Sequence, residues 1–198
     1  MKSRLFLVLV SLVLAAPVRA ADTPLWSLYV GALGAFPTSP GEFRDGWSFG
    51  WGLEGGFTRS VGGRWALGLD GRYQQFQFDG AAPAGAEVLG GARRFGLGSL
   101  RLDALLYQGT ERGADRVVAE LGAGYVHQSV EPISGVPPLS IESADGFNGS
   151  VGLVYSRKLY AESRIQLGLR HTWIVLPDET LGSMEIRLGA AVPLSGTD

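Results

Sequence analysis

Charged residues occur at alternating positions within segments that otherwise consist of small or apolar residues. A guanidinium group can hold two carboxylates at once, and a charge removed from water is costly unless it is paired. If these positions share an interior, we expect a network of arginine–carboxylate pairs. The alternative use of the same residues is a charged constriction in a conducting pore. The residues concerned are Glu54, Asp70, Arg72, Arg101, Asp103, Glu120, Arg170, Glu185 and Arg187.

A histidine and a serine, His127 and Ser129, have a spacing that suits a general base and a nucleophile, with Glu142 as the orienting acid. A triad is identified by geometry rather than by spacing, and a histidine and a serine at a membrane interface are the simpler interpretation. The second histidine, His171, lies on a non-neighbouring segment, so a shared metal site is not expected. We therefore predict no catalytic residue, no metal and no cofactor.

Segments with a two-residue alternation would position these charges, because successive side chains of a strand point to opposite faces. In the clearest one, residues 47–58, large apolar side chains alternate with small or polar ones. Residues 75–78 reverse the parity of the third segment, which predicts a bulge or the start of a loop. Leu105 and Tyr107 fall on the polar side of the fourth. The eight segments are 26–36, 47–58, 64–74, 99–106, 116–125, 147–156, 165–173 and 184–192.

The connections between these segments alternate in length. Short turns at one end and long loops at the other are typical of outer-membrane barrels, whose long loops lie outside the cell. An even number of strands then places both termini in the periplasm. The short connections are 59–63, 109–115 and 157–162; the long ones are 37–46, 79–94 and 131–146, and 177–182 is an exception.

The two faces of the segments are compatible with two kinds of barrel. The apolar face points inward in a soluble barrel, whereas in a membrane barrel it meets lipid and the polar face lines the interior. The polar faces carry many glycines, and a face in water has no steric reason to be small. The apolar faces are so bulky that they would overfill an eight-stranded barrel. We therefore predict a membrane barrel rather than a soluble lipocalin-like or avidin-like one.

Aromatic residues are predicted to fall near both ends of the strands, with aliphatic residues between them. Two aromatic girdles around an aliphatic band match the two interfaces of a membrane. The predicted periplasmic girdle contains Trp26, Phe57, Trp65 and Tyr155. The predicted outer girdle contains Phe36, Trp47, Tyr73, Tyr125, Phe147 and Trp173.

The first 20 residues have the features of a signal peptide. Lys2 and Arg4 precede an apolar run from Leu5 to Ala16, and small residues flank Arg19, so cleavage is expected before Ala21. The run is short for a transmembrane helix. Residues 21–198 form one predicted barrel domain. The chain has no cysteine and a net charge of −2, which gives no indication of disulfides or of nucleic-acid binding.

The alternation, the leader and the closing segment resemble the small outer-membrane β-barrel family that includes the OmpA transmembrane domain, OmpX and the opacity-type proteins. The features that carry the resemblance are the leader Lys2–Ala20, the segment Trp47–Phe57 and the segment Met184–Leu194. The resemblance implies a closed, antiparallel, up-and-down transmembrane β-barrel of eight strands. It also implies adhesion, envelope stability or small-solute passage as the kind of role. One departure is that family members often end in Phe or Trp, whereas here Leu194 is followed by four further residues.

The leading functional expectation is a non-enzymatic protein of the bacterial outer membrane with an ion-paired interior. Its loops 37–46, 79–94 and 131–146 would serve interactions at the envelope or surface. Outer-membrane lipid, lipopolysaccharide and the assembly machinery are the expected partners, and a monomer is favoured. One alternative is a narrow small-solute channel. Another is a lipid A-modifying hydrolase, because lipid A deacylases use a His-x-Ser pair, although their pattern does not continue as Ser129-Val130-Glu131 does.

Overall fold

The computed structural model describes residues 26–78, 91–109, 115–130, 143–160 and 163–194. Across these residues, eight antiparallel strands pair in chain order and the sheet closes between the first and the last strand. The predicted leader, residues 1–20, lies outside the described residues. The strands are β1 (Trp26–Ser39), β2 (Gly50–Gly62), β3 (Trp65–Gln77), β4 (Ala92–Gln108), β5 (Asp115–Val130), β6 (Ala144–Lys158), β7 (Arg164–Val175) and β8 (Thr180–Pro193).

The two ends of the barrel differ in the connections that they carry. At the terminal end, β1 begins beside the end of β8, and the Leu194 amide donates to the Trp26 carbonyl over 2.9 Å. The β2–β3, β4–β5 and β6–β7 turns lie at this end too. The other four connections lie at the opposite end, which we call the loop end. It includes a short helix, α1 (Gly41–Gly46), between β1 and β2.

The large apolar side chains point away from the barrel axis, as the alternation predicts. Leu53, Leu121 and Leu188 are each more than half exposed, whereas Glu185 on the opposite face is fully buried. Trp51 is 49% exposed and Arg170 only 3%, which is the reverse of a soluble barrel. The prediction of an apolar exterior is therefore confirmed, and the predicted charged residues face the interior.

Exposed aromatic side chains ring both ends of this outer surface. At the terminal end they include Phe57, Trp65 and Tyr155. At the loop end they include Phe36, Tyr73, Tyr125, Phe147 and Trp173. The prediction for Trp47 is wrong, because this side chain is half-buried against the apolar core at the loop end. Trp47 precedes β2, forms an isolated bridge with Phe78, and its ring packs edge-on against that phenyl ring.

The predicted break at residues 75–78 is also wrong. β3 continues to Gln77, and its pairing with β4 runs without a shift from Tyr73–Gly96 to Gln77–Ala92. The alternation of apolar and polar residues reverses here although the strand continues, because the interior of the barrel is apolar at this level. Phe76 points inward and is fully buried. Strands are therefore longer at the loop end than predicted. β4 begins at Ala92 and β6 at Ala144, inside the segments 79–94 and 131–146 that were predicted to be loops.

An irregularity in the fourth segment lies at the terminal end of β4. The β4–β5 pairing shifts between Leu105 and Tyr107, so that Leu106 is an extra residue in the ladder. Leu106 and Tyr107 are both 57% exposed, because the bulge turns two consecutive side chains outward. This bulge explains why Tyr107 points outward, whereas Leu105 precedes the bulge and keeps the inward parity of Arg101 and Asp103.

The β2–β3 turn requires glycine. Gly62 and Gly63 have φ angles of 120° and 56°, which side chains with a Cβ rarely adopt. The turn therefore follows from the local sequence. No helix among the described residues has the length and apolar character needed to cross a membrane.

Candidate functional site

The barrel interior is filled by an apolar layer at the loop end and by a charged layer beneath it. The apolar layer was not predicted. Phe76 lies at its centre, with ring centroids 5.3 Å from Phe43 and 5.9 Å from Phe95 in edge-to-face contact. The layer comprises Leu33, Ala35, Phe43, Phe76, Phe95, Leu97, Val126, Ile174, Leu176 and Leu181.

Helix α1 closes the loop end through Phe43. This side chain is 3% exposed, because α1 folds over the barrel mouth rather than extending away from it. The segment 37–46, predicted to be an external loop, therefore contains the end of β1 and a helix that covers the interior. This closure could not be read from alternation, since Phe43 lies outside every strand.

Arg93 fastens this cover to the barrel wall. Its guanidinium group lies 5.5 Å from the ring centroids of both Phe43 and Phe95. Its Nε donates to Gln128 Oε1 over 2.8 Å, and a second nitrogen pairs with the Glu179 carboxylate of the β7–β8 connection. None of these three polar residues was predicted, because Arg93 and Glu179 fall in segments that were assigned to loops.

The structure brings the nine predicted charged residues together in the charged layer. Within this layer, Glu185 is fully buried and lies between two arginines. Its Oε2 lies 3.2 Å from Arg72 Nη1 and 2.7 Å from Arg170 Nε. Gln74 also donates to Oε1 of this carboxylate, over 2.6 Å.

Glu54 and Glu120 continue the pairing around the interior. Glu54 pairs with Arg170 and, over 3.2 Å, with Arg187. Arg187 in turn donates to Glu120 over 2.5 Å, and Glu120 lies 3.6 Å from Arg101. Every link therefore joins a guanidinium group to a carboxylate.

Asp70 closes this series into a ring. Its Oδ1 lies 3.8 Å from Arg101 Nη1, and its Oδ2 lies 3.5 Å from Arg72 Nε. Asp103 is attached to the ring by two hydrogen bonds from Arg101, of 2.7 and 3.1 Å. The ring of alternating charge, which we call the charged ring, consists of Arg72, Glu185, Arg170, Glu54, Arg187, Glu120, Arg101 and Asp70.

Neutral side chains support two of the arginines. Arg72 donates to Thr172 Oγ1 over 3.1 Å and to Ser99 Oγ over 3.2 Å. Arg101 donates to the Tyr29 hydroxyl over 2.8 Å and to Thr58 Oγ1 over 3.1 Å. Such hydrogen bonds offset the loss of water that burial imposes on a charged group.

Glycine makes room for these long side chains. A Cβ at Gly168 would lie 2.5 Å from Arg187 Nε, and one at Gly68 would lie 3.2 Å from Arg101 Nη2. The small inner residues and the large inner arginines are therefore complementary. The abundance of glycine on the polar faces of the strands reflects this packing.

Comparison with known proteins identifies the fold. No family model and no curated protein matches the chain. Among solved structures, it is similar to Neisserial surface protein A, with a TM-score of 0.58 and 13% identity over 85% of this chain and 97% of that one. The chain has the fold of a small outer-membrane β-barrel. The resemblance proposed from the alternation is therefore confirmed at the level of fold.

Two further solved structures of outer-membrane barrels resemble the chain less closely. Ail, the attachment invasion locus protein of Yersinia pestis, has a TM-score of 0.48 and 14% identity over 84% of this chain and 97% of that one. The N-terminal β-barrel domain of Pseudomonas aeruginosa OprF has a TM-score of 0.44 and 14% identity over the same shares of the two chains.

On the outer surface of this barrel, His127 contacts an acid that was not predicted. Its Nδ1 lies 2.7 Å from Asp145 Oδ1, across the β5–β6 pair, and both side chains are more than half exposed. Glu142 lies outside the described residues. No hydrogen bond joins His127 to Ser129 among the residues that the structure describes. The geometry is that of an exposed cross-strand hydrogen bond between an imidazole and a carboxylate.

The second histidine of the barrel, His171, lies elsewhere on the outer surface. Its Nε2 is 3.3 Å from Thr38 Oγ1, and its ring lies 4.5 Å from that of Trp173. Within the described ranges, no cluster of three or more potential metal ligands occurs.

Proposed function

We propose that this chain is a non-enzymatic protein of the bacterial outer membrane whose barrel is a closed anchor rather than a passage. The observation that carries the proposal is the charged ring, which fills the interior beneath the apolar layer. Ions crossing the barrel would have to separate buried arginine–carboxylate pairs and displace Phe76. Both steps are costly, since a buried ion left without its partner is strongly destabilising.

The outer surface supports the location in a membrane. Its aliphatic middle includes Leu53, Leu121 and Leu188, all more than half exposed, and rings of exposed aromatic side chains flank it. In water, such a continuous apolar belt would drive aggregation, whereas hydrocarbon satisfies it. Closure of the sheet pairs the strand backbones with one another, as hydrocarbon requires.

The lengths of the connections support an orientation with both termini in the periplasm and the loop end outside. Outer-membrane lipid, lipopolysaccharide and the assembly machinery are the partners that this location supplies. We propose a monomer, because lipid can cover the apolar outer surface of a single copy. Residues 79–90 and 131–142 lie outside the described residues. We assign surface interaction to these two connections, because α1 is engaged in closing the barrel.

Fractionation and conductance test the proposal together. The protein is expected in the outer-membrane fraction, with an electrophoretic mobility that changes on boiling, as a closed barrel gives. Reconstituted in planar bilayers, it is expected to give no steady ionic current. Recovery as a soluble periplasmic protein would refute the location, and a steady current would refute the closed interior.

A further inference from the structure

A polar cavity lies inside the barrel at the terminal end, between the β2–β3 turn and the charged ring. Its volume is about 160 Å³. An engineered apolar cavity of roughly 150 Å³ in another protein holds benzene, a molecule of six heavy atoms, so this cavity has room for one ligand of similar size. Its lining includes Tyr29, Thr58, Arg64, Arg101, Glu120 and Ala191. We call this cavity the terminal cup.

Glu120 contributes an unused acceptor atom to the wall of the terminal cup. Its Oε1 accepts a hydrogen bond from Arg187 over 2.5 Å and lies 3.6 Å from Arg101 Nε. Its Oε2 is buried and has no hydrogen-bond partner among the residues that the structure describes. The residue is only 5% exposed, so leaving this oxygen without a donor is costly. An occupant of the cup that donates a hydrogen bond would remove that cost.

Two hydroxyl groups beside Glu120 supply donors. The Tyr29 hydroxyl accepts a hydrogen bond from Arg101 Nη1 over 2.8 Å, and Thr58 Oγ1 accepts one from Arg101 Nη2 over 3.1 Å. A hydroxyl that accepts a hydrogen bond still has its own proton to donate. Tyr29, Thr58 and Glu120 all line the cup and surround one planar guanidinium group, so a small molecule can span them. The wall therefore offers donors and an acceptor side by side.

We infer that the terminal cup binds a small neutral polyol of about six heavy atoms. One hydroxyl of the ligand donates to Glu120 Oε2, and others accept from the hydroxyls of Tyr29 and Thr58. A polyol suits this wall because each of its hydroxyls both donates and accepts. An anion suits it less, because it would approach a carboxylate oxygen that needs a donor. A cation suits it less, because the Arg101 guanidinium contacts all three groups.

Saturation-transfer NMR with glycerol tests the inference on the full barrel in an uncharged maltoside detergent. We expect a signal that saturates as glycerol is titrated. Propan-1-ol has the same three carbons but a single hydroxyl, so it is expected to bind about tenfold more weakly. Absence of a saturable glycerol signal from folded wild-type protein would mean that water alone fills the cup and would overturn the inference. Equal affinities for the two ligands would also overturn it, since they would indicate apolar contact.

Two consecutive alanines of β8 give a matched pair of variants. Ala191 is buried and lines the cup, whereas Ala190 is exposed on the outer surface. Ala191→Leu places its added atoms in the cup and is expected to abolish the glycerol signal. Ala190→Leu adds the same atoms on the outside and is expected to leave the signal unchanged. The mobility change on boiling checks the folding of both. A signal that survives in folded Ala191→Leu would place glycerol elsewhere and overturn the inference.

Substitutions of the polar groups test the assigned contacts. Glu120→Gln replaces one carboxylate oxygen by a donor and is expected to weaken glycerol binding about tenfold. Thr58→Val keeps the shape of the side chain without its hydroxyl, so it tests the same wall if the other variants do not fold. We expect a roughly threefold loss for it. Unchanged affinity in folded Glu120→Gln or Thr58→Val would contradict the inference. Conductance is a separate measurement, so failure of polyol binding leaves the closed anchor untouched.

Discussion

Arg170 and Glu185 are direct cross-strand partners on β7 and β8, and the Arg170 Nε donates to Glu185 Oε2 over 2.7 Å. This pair belongs to a ring in which each carboxylate lies between two arginines and each arginine between two carboxylates. The energetic consequence is an asymmetry. Removing one member leaves its neighbours buried without a counter-charge, whereas replacing a pair removes both charges at once.

The first prediction concerns this asymmetry. Glu185→Ala is expected to lower the free energy of unfolding in lipid vesicles by about 3–5 kcal/mol, because it leaves Arg72 and Arg170 with one carboxylate fewer. The double variant R170M/E185M is expected to lose less than the sum of its single variants. Urea titration followed by tryptophan fluorescence measures both. Arg44→Gln is the control, since Arg44 is exposed and pairs with the exposed Asp45; additive losses in the double variant would contradict the coupling.

The second prediction concerns the inner glycines. A Cβ at Gly124 would lie 1.9 Å from the Gly98 carbonyl oxygen of the neighbouring strand. Gly124→Ala is therefore expected to prevent closure, which electrophoresis detects as loss of the mobility change on boiling. Gly71→Ala is a matched control, because a Cβ there meets nothing within 4 Å. A normal barrel in the Gly124 variant would show that the strands can separate at this point.

The third prediction concerns the cover at the loop end. Phe43→Ala is expected to destabilise the barrel by about 3 kcal/mol, as the loss of a buried phenyl ring does. It should also free α1 from the mouth, so that trypsin cleaves after Arg44 faster than in the wild type. Tyr160→Ala, at an 84% exposed aromatic residue, serves as the control. Unchanged cleavage would mean that other contacts hold α1 in place.

The fourth prediction separates the anchor from the channel. Arg101→Ala and Glu120→Ala are expected to leave planar bilayers without steady current, because Phe43, Phe76 and Phe95 still close the loop end. Wild-type protein is the reference. A current that appears or changes with either substitution would instead identify the charged ring as a constriction in a conducting path.

The fifth prediction addresses the hydrolase alternative. Lipid A from cells that produce the wild-type protein is expected to have the same acyl chains as lipid A from cells without it. Mass spectrometry measures the acyl pattern, with the His127→Ala and Ser129→Ala variants in parallel. Loss of one acyl chain that depends on both residues would establish an activity and overturn the non-enzymatic proposal.

Period-two alternation was sufficient to predict the closed eight-stranded barrel and its apolar exterior. It also selected nine of the charged residues that line the interior, because glycine and charge on one face have no other steric explanation; Arg93 was not among them. The pairing order within the ring could not be predicted. Links such as Glu54–Arg187 join strands that are not neighbours, and they depend on side-chain reach across the interior.

The apolar layer was missed because inward-facing residues were assumed to stay polar along the whole strand. Phe76, Leu97 and Ile174 continue the inward parity of Arg72, Arg101 and Arg170, so their positions were available in the sequence. What alternation cannot show is a change of interior chemistry along the axis. The burial of Phe43 and Trp47 could not be predicted from alternation for a different reason. Both residues precede β2, and their burial depends on how α1 folds over the barrel mouth.

The members of the charged ring come from both halves of the chain. Glu54 lies on β2, whereas Glu185 and Arg187 lie on β8, which pairs with β1 only in the finished cylinder. An incomplete sheet that lacks the last strand therefore leaves Arg72, Arg170 and Glu54 short of counter-ions. The ion pairs of the interior are therefore complete only once β8 has paired with β1. A partly assembled sheet that lacks β8 is less stable for this reason, which favours completion of the barrel.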